Sequence, residues 1–543
     1  MATAVLFLSG CGAAFEKADF TFINGAEPQT IDPALLVGQP DGRIVHSTFE
    51  GLACRSADGI IQPGVAERWD ISPDGRVYTF HLRDSTWSNG DPVTATDFVR
   101  GWRRVIEPET SAAYAELLFF IAGAKDYLTA AAKDKLKDPV QEQARRDELF
   151  KKVGVRVVDD KTLEVRLSQP TPFFPQLCVN PCYMPIHGPT LEKYGNRWTR
   201  PGNIVSNGAY ILADWRLQDR FVLKQNPRYW RKPGPAFKTV HALSVKDAAT
   251  AFNLFYAGKA DLLLDKGLVP AQIIPQISKE PWFNSNPFLA TYFYRFNVTR
   301  KPLDDVRVRL ALSMAVDKNA IVSHITRAGE PAAGSLTPPG MQGYKPPAGL
   351  PFNIAEAKRL LAEAGFPDGA NFPDLKLLYN DSDMNEAVAT GIQAMWKQNL
   401  NISIELRKQD WKSYLDSLNK LNYDIARSSW VGDYQDPTTF LDMFVTGGGN
   451  NRTGYSSKEF DTLQAQAAAE PDPVKRAELL YKSEVVLVEK DVPILPLYFI
   501  VGIALYHKDK LGGFAPNVVD EHPIRHMYFK DKAGEKKVEL STP

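Results

Sequence analysis

Segments with a two-residue apolar alternation and segments with a helical apolar repeat are interleaved along the whole of this chain, and no Pro/Gly/Ser-rich linker divides them. Alternations at Thr162 to Leu167, Arg220 to Lys224, Asp374 to Leu378 and Ile402 to Leu406 are mixed with amphipathic stretches. That pattern predicts an α/β or α+β chain with mixed sheets. A chain of 543 residues is too long for one hydrophobic core, and one domain per roughly 100–200 residues gives about three. Domains without a tether between them must share several chain crossings.

Local signals agree with that class. After the turn Pro73-Asp74-Gly75, Tyr78, Phe80 and Leu82 alternate with Val77, Thr79 and His81, which predicts a half-buried strand. Asn89-Gly90-Asp91-Pro92 breaks the chain, Thr94 or Thr96 caps, and Phe98, Trp102 and Val105 repeat at helical spacing. Lys125 to Lys152 reads as solvent-exposed helix broken near Asp138-Pro139, its charges doing nothing specific. Asn353 begins a capping box with Glu356, and Gly365 with Pro367 stops that helix.

Composition excludes several function classes. Lys+Arg and Asp+Glu both number 64, so there is no electrostatic footprint for nucleic acid or an anionic membrane surface. No tract of about 20 apolar residues is present to span a bilayer. Four cysteines are too few to staple a chain of this size. Cys178-Val-Asn-Pro-Cys182 has no matching Cys or His pair for zinc, and a local disulfide and two buried free thiols both fit it. The opening apolar run ends in Leu8-Ser9-Gly10-Cys11, the shape of an export signal's tail. Neither Lys nor Arg precedes Cys11, so the start of the signal is expected upstream.

No nucleophile elbow, P-loop, dinucleotide fingerprint or two-histidine zincin helix occurs. His522-Pro-Ile-Arg-His526 has metal-like spacing, but its proline is ill suited to put both imidazoles on one helix face. Gly447-Gly448-Gly449-Asn450-Asn451 lacks the Lys-Ser/Thr of a phosphate cradle and reads as a surface loop. Neither a metal nor a cofactor is expected.

Seven segments, in order, resemble the solute-binding proteins of oligopeptide and dipeptide ABC transporters. They are Glu27 to Pro33, Gly64 to Trp69, Asp74 to Arg83, Asn203 to Tyr210, Asn226 to Trp230, Asp305 to Leu312 and Ala357 to Gly365. The resemblance covers nearly all of the chain after about residue 20 and implies a periplasmic-binding-protein-like two-lobed α/β clamshell with an extra second domain. Residues 1–18 would be signal, lipobox and tether, lipidated at Cys11. Domain I would combine 19–49, 188–289 and 501–543, domain II would span 50–187, and domain III would span 290–500.

The same resemblance implies a binding protein and not an enzyme: a monomer, held at the membrane only by lipid, that takes an oligopeptide to a permease pair driven by ATPase subunits. Arg427-Ser-Ser-Trp430-Val-Gly-Asp433 is similar to the family segment whose aspartate receives a peptide's α-ammonium, which would be Asp433. A buried ammonium needs such a partner, and one carboxylate fixes peptide polarity without reading side chains. Asp436 and Pro437 read instead as the N-cap and first position of a following helix. Trp430, Trp411, Tyr114, Phe293 and Gln39 match ligand-lining positions, and Arg427 matches an arginine that meets a peptide carboxylate.

The departures concern the ligand. Ala290 and Val431 stand where some relatives have a disulfide, and Phe293, Val37, Asn385 and Leu418 stand where tyrosine, glutamate, histidine and arginine occur. The pocket has lost polar and charged groups, which shifts the expectation toward longer or apolar peptides or a murein peptide. The alternatives are the same fold around a nickel chelate, haem, opine or oligosaccharide, a secreted hydrolase, and a periplasmic chaperone.

Overall fold

Two long strands, Phe283–Phe296 and Ile494–Tyr506, hold the molecule together. They pair antiparallel in the middle of a ten-stranded mixed sheet. Numbered in chain order, its strands are β1 Phe20–Ile23, β2 Tyr210–Arg216, β3 Arg220–Gln225, β4 Thr239–Leu243 and β5 Leu262–Leu264. They continue with β6 Phe283–Phe296, β7 Leu375–Asn380, β8 Ile404–Gln409, β9 Ile425–Val431 and β10 Ile494–Tyr506. The spatial order is β8-β7-β9-β6-β10-β5-β1-β4-β3-β2. β1 runs parallel to β4 and β5, and β7 runs parallel to β8 and β9; the remaining neighbours are antiparallel. This computed structural model describes residues 17–36, 38–133, 135–341 and 343–530, without the side chains of Trp411 and Lys412. Cys11 and Val37 lie outside the described residues.

β10 reads Ile-Leu-Pro-Leu-Tyr-Phe-Ile-Val-Gly-Ile-Ala-Leu-Tyr and is buried along almost its full length. Such a run suits a strand covered on both faces. Its pairing with β6 has two parts, Phe283 to Pro287 against Val501 to Leu505 and Thr291 to Arg295 against Ile494 to Phe499, with a register shift between them. One part lies beside β5 and β1, the other beside β9 and β7, so the same two strands serve both lobes. The cores are correspondingly separate. Phe20, Trp87, Trp102, Trp198 and Tyr210 belong to one cluster, while Tyr292, Leu377, Ile392 and Trp396 belong to another.

A second, four-stranded antiparallel sheet orders Ala66–Ile71, Val77–Leu82, Thr162–Arg166 and Val155–Asp159. Tyr78, Phe80 and Leu82 are its buried face, as their alternation predicts. Helix Ala95–Val105 starts at Thr94 with a reciprocal capping box to Asp97 and buries Phe98, Trp102 and Val105. Helix Ile354–Glu363 begins at Asn353, whose side chain accepts from the Glu356 N–H. Gly365 follows it at φ +97°, a conformation that suits glycine.

Lys125 to Lys152 forms two helices, Ala124–Ala132 and Pro139–Phe150, the second capped by Asp138. The expectation of idle charges there is corrected. Arg146 reaches Glu107 at 2.8 Å, Glu109 at 2.7 Å and Glu142 at 2.7 Å, because the helix packs back over the turn at Pro108–Thr110. Cys178 and Cys182 are free, buried thiols. Among the described residues, no helix is long and apolar enough to cross a membrane.

Candidate ligand-binding site

Strand β9 carries Arg427 and Trp430 and leads directly to Asp433, and its surroundings decide what each of them does. Its partner β6 sets Tyr294 opposite Arg427, Thr291 opposite Trp430 and Ala290 opposite Val431. The two disulfide-matching positions are therefore direct cross-strand neighbours, both apolar. Beyond Val431 the chain passes a narrow point. The Gly432 N–H donates to the Leu289 carbonyl at 2.7 Å, and a Cβ at Gly432 would come within 2.7 Å of Leu289 Cδ2 and 2.9 Å of Thr439 Cγ2. Only a residue without a side chain passes there undisturbed. Thr439 then holds both flanks: its hydroxyl accepts from the Asp433 N–H at 2.9 Å and its carbonyl from the Trp430 indole at 2.7 Å.

With its backbone fixed, the Asp433 side chain is left exposed, and its carboxylate has no hydrogen bond or ion pair among the described residues. Although one side is open to solvent, the surrounding walls crowd out enough water to push its pKa up to about 6, and the charge of Glu116 adds to the shift. Tyr114 belongs to the same place. Burial raises its phenol, and the Asp433 charge is the next cause, followed by Cys182 and Glu116. The residue after Asp433 fastens the junction. Tyr434 stacks on Phe173 with ring centroids 4.5 Å apart and meets the edge of Phe120 at 6.0 Å.

Arg427 sits farther back on β9. Its Nη1 donates to Asn380 Oδ1 at 3.3 Å, and its guanidinium lies 4.7 Å from the centre of the Tyr292 ring. Its Nε is buried without a partner, and it makes no ion pair among the described residues. Asn385 completes this cluster, accepting from the Tyr292 hydroxyl at 3.0 Å and donating to Asn380. The Tyr414 hydroxyl donates to the Arg427 carbonyl. Leu418 is buried beside Tyr414 and Tyr423. An unneutralised guanidinium on one strand and an unneutralised carboxylate at that strand's end suit a ligand with opposite charges at its two ends.

Two expected residues, Phe293 and Gln39, fall elsewhere. Phe293 is fully buried, its ring 6.4 Å from Phe444 and beneath Arg295, so it offers a ligand no surface in this conformation. Gln39 opens helix Gln39–Thr48, accepts from Arg43 at 3.3 Å and lines a separate cavity of about 150 Å³ with Arg43, His46, Asp520 and His522. The Trp411 side chain is outside the described residues, although its helix Trp411–Asn419 packs near β7. Asp436 is a structural residue, accepting from Thr438 N–H at 3.1 Å and clasping Arg476 at 2.6 and 2.8 Å. The helix it leads into, Thr438–Leu441, starts one residue later than expected and is a single turn. His522 meets Asp520 at 3.0 Å and His526 meets the Arg55 carbonyl at 3.1 Å, so each imidazole has its own partner.

Glu116, Gly432 and Thr439 were missed. Glu116 lies on a short 3-10 helix, Ala115–Phe120, whose brief turn has no periodic signature. Gly432 and Thr439 act through close approach and a backbone hydrogen bond, which a single sequence does not display.

Known proteins place this architecture. The chain is 36% identical over 526 residues to the periplasmic oligopeptide-binding protein OppA of Escherichia coli (strain K12), covering 94% of this chain and 93% of that protein. The unliganded open form of the periplasmic murein tripeptide binding protein MppA superposes with a TM-score of 0.81 at 32% identity, covering 94% of this chain and 97% of that one. Haemophilus influenzae OppA in complex with RPPGFSPFR gives 0.70 at 32% identity, covering 94% and 98%. The family model "Bacterial extracellular solute-binding proteins, family 5 Middle" matches residues 61–452, and the chain belongs to that family of extracellular solute-binding proteins.

Proposed function

We propose that this chain is the oligopeptide-capturing subunit of an ABC importer, delivering its ligand to a membrane permease pair driven by ATPase subunits. The observation that carries this is Asp433: a carboxylate fixed by its backbone at a cleft wall, crowded enough to be raised to about 6, and without a cation. A peptide α-ammonium supplies the missing charge and up to three hydrogen-bond donors. Main-chain groups of the facing strands would pair with the peptide as an added strand, and roomy, hydrated pockets would take varied side chains. Arg427 suits the carboxyl end or an acidic side chain, while Tyr114, Trp430 and Trp411 would wall the cleft.

The subunit works by opening and closing, so it breaks no bond and needs no cofactor. Its lobes would divide as domain I (19–49, 188–289, 501–543), domain II (50–187) and domain III (290–500). Lipid on Cys11 would hold a monomer at the outer face of the cytoplasmic membrane or in the periplasm.

The test is a melting-temperature screen of the soluble body with free-amine and N-acetylated peptides. A ligand at 100 times its Kd adds about 2.7 kcal/mol of stability. Free-amine peptides should stabilise the wild type and be recovered intact, and both acetylation and Asp433→Asn should abolish the shift. Cleavage of the peptides, or equal shifts with acetylated ones, would contradict the proposal.

A further inference from the structure

The cavity of about 150 Å³ beside Gln39 lies between helix Gln39–Thr48 and the chain that follows β10. Gln39, Arg43 and His46 recur at helical spacing, so one face of that helix forms a wall. Phe22 of β1, Leu264 at the end of β5 and Ile524 supply apolar lining, and Asp520 and His522 supply polar lining. β10 makes room for Asp520 by carrying no side chain at Gly502, where a Cβ would stand 2.6 Å from Asp520 Oδ1. The polar groups are unevenly satisfied. Glu521 is held by Arg55 at 2.9 Å. Arg43 donates to the Asn24 carbonyl at 2.9 Å and to Gln39 Oε1 at 3.3 Å, both neutral acceptors, and makes no ion pair among the described residues. Burial lowers its pKa, against the charges of Asp265 and Asp520. His522 stacks on Phe514 with ring centres 3.8 Å apart, and only 1% of its side chain is exposed. Its Nε2 lies 3.0 Å from Asp520 Oδ1, so Nε2 carries the hydrogen and Nδ1 of the neutral ring can only accept. That Nδ1 is buried without a partner.

We propose that this cavity is a second binding site, taking a free α-amino acid the size of alanine, with its carboxylate on Arg43 and its ammonium donating to His522 Nδ1. A guanidinium with only neutral partners suits a carboxylate, which it can meet through two N–H groups. A buried acceptor nitrogen requires a donor, and the Asp520 carboxylate beside it favours a cationic one. A carboxylate alone would leave Nδ1 unmet, and an amine alone would leave Arg43 unmet. The zwitterion serves both and brings no net charge into the cavity. Size follows from volume: about 150 Å³ suffices for benzene, whose heavy atoms alanine matches in number. The alanine methyl belongs against Phe22, Leu264 and Ile524. Water is the plain alternative occupant, and it would satisfy Nδ1 without neutralising Arg43. Asp433 does not line this cavity, so the site is independent of the peptide reading given above.

The experiment is calorimetric titration of the whole chain at neutral pH with four probes. They are L-alanine, propionate, which lacks the ammonium, ethylamine, which lacks the carboxylate, and L-leucine, which exceeds the cavity. Alanine should bind about tenfold more tightly than propionate or ethylamine, or better, as the loss of a charged hydrogen bond demands. Leucine should not bind. In His522→Phe, which keeps the ring on Phe514, alanine affinity should fall about tenfold or more. No heat with alanine leaves the cavity to water and overturns the inference. Propionate or leucine binding as tightly as alanine overturns it too, as does full alanine affinity in His522→Phe. Alanine binding that vanishes in Asp433→Asn places the amino acid in the peptide cleft and overturns it as well. If His522→Phe does not fold, the four probes on the wild type decide alone. None of these outcomes alters the peptide reading, which the acetylation screen tests separately.

Discussion

Asp433 is ionised at neutral pH only against the resistance of its surroundings, so its response to acid separates a ligand contact from a bystander. Crowding by its surroundings pushes its pKa up to about 6, above its ordinary 3.8. A bound ammonium favours the ionised form and draws the pKa down, so below about pH 6 binding must first expel a proton. Affinity for free-amine peptides should be flat above pH 7 and fall by up to about tenfold per pH unit once below 6. Titrations of the wild type at several pH values would show this slope. An unchanged affinity at pH 5 would mean that the ammonium sits elsewhere. Asp433 was legible in sequence only through its resemblance to a family segment, since composition and spacing said little about it. Phe293 shows what a strand residue's face owes to its partners: in this conformation β6 turns that ring into the core between Phe444 and Arg295.

The elements themselves were plainer. The strand at Val77–Leu82 and the capped helices at Ala95 and Ile354 were readable because alternation, helical spacing and caps are local. What β9 does after its last residue was not readable, because it depends on Leu289 and Thr439, one on a neighbouring strand and the other eight residues on. Gly432→Ala tests that passage. The new methyl must displace Leu289 or Thr439, at a cost of about 1–3 kcal/mol, and it should also weaken peptide binding by moving Asp433. Thermal unfolding and titration of this one variant would check both effects. A variant as stable and as tight-binding as the wild type would mean that the strand end shifts freely.

Across the whole molecule, carboxylates with raised pKa values set the pH response of stability. Burial pushes Glu484 and Asp442 to about 7 and Asp433 to about 6. Each folded-state value lies above the unfolded one, so ionisation favours unfolding, and the penalty disappears as these groups take up protons. His46 and His526 act in the opposite sense, burial lowering both, His526 to about 4, so they oppose folding as the pH drops below 6.5. The melting temperature should therefore rise from about pH 8 to about 6.5 and then level off, a curve that calorimetry would trace. A steady fall over the first interval would contradict it. Peptide binding should also shrink the radius of gyration in X-ray scattering, because closure of the lobes on the ligand draws the molecule together. That shape was only partly legible: the missing linker implied shared crossings, but not a single sheet running through both lobes. Between Pro287 and Thr291 the pairing of β6 with β10 lapses before it resumes in a new register. A ladder that lapses between two paired stretches bends most readily at the gap, as a leaf folds along a crease. Cargo of many sequences would thus be wrapped into one outline, and whatever receives the closed form would need to recognise the wrapping and never the contents.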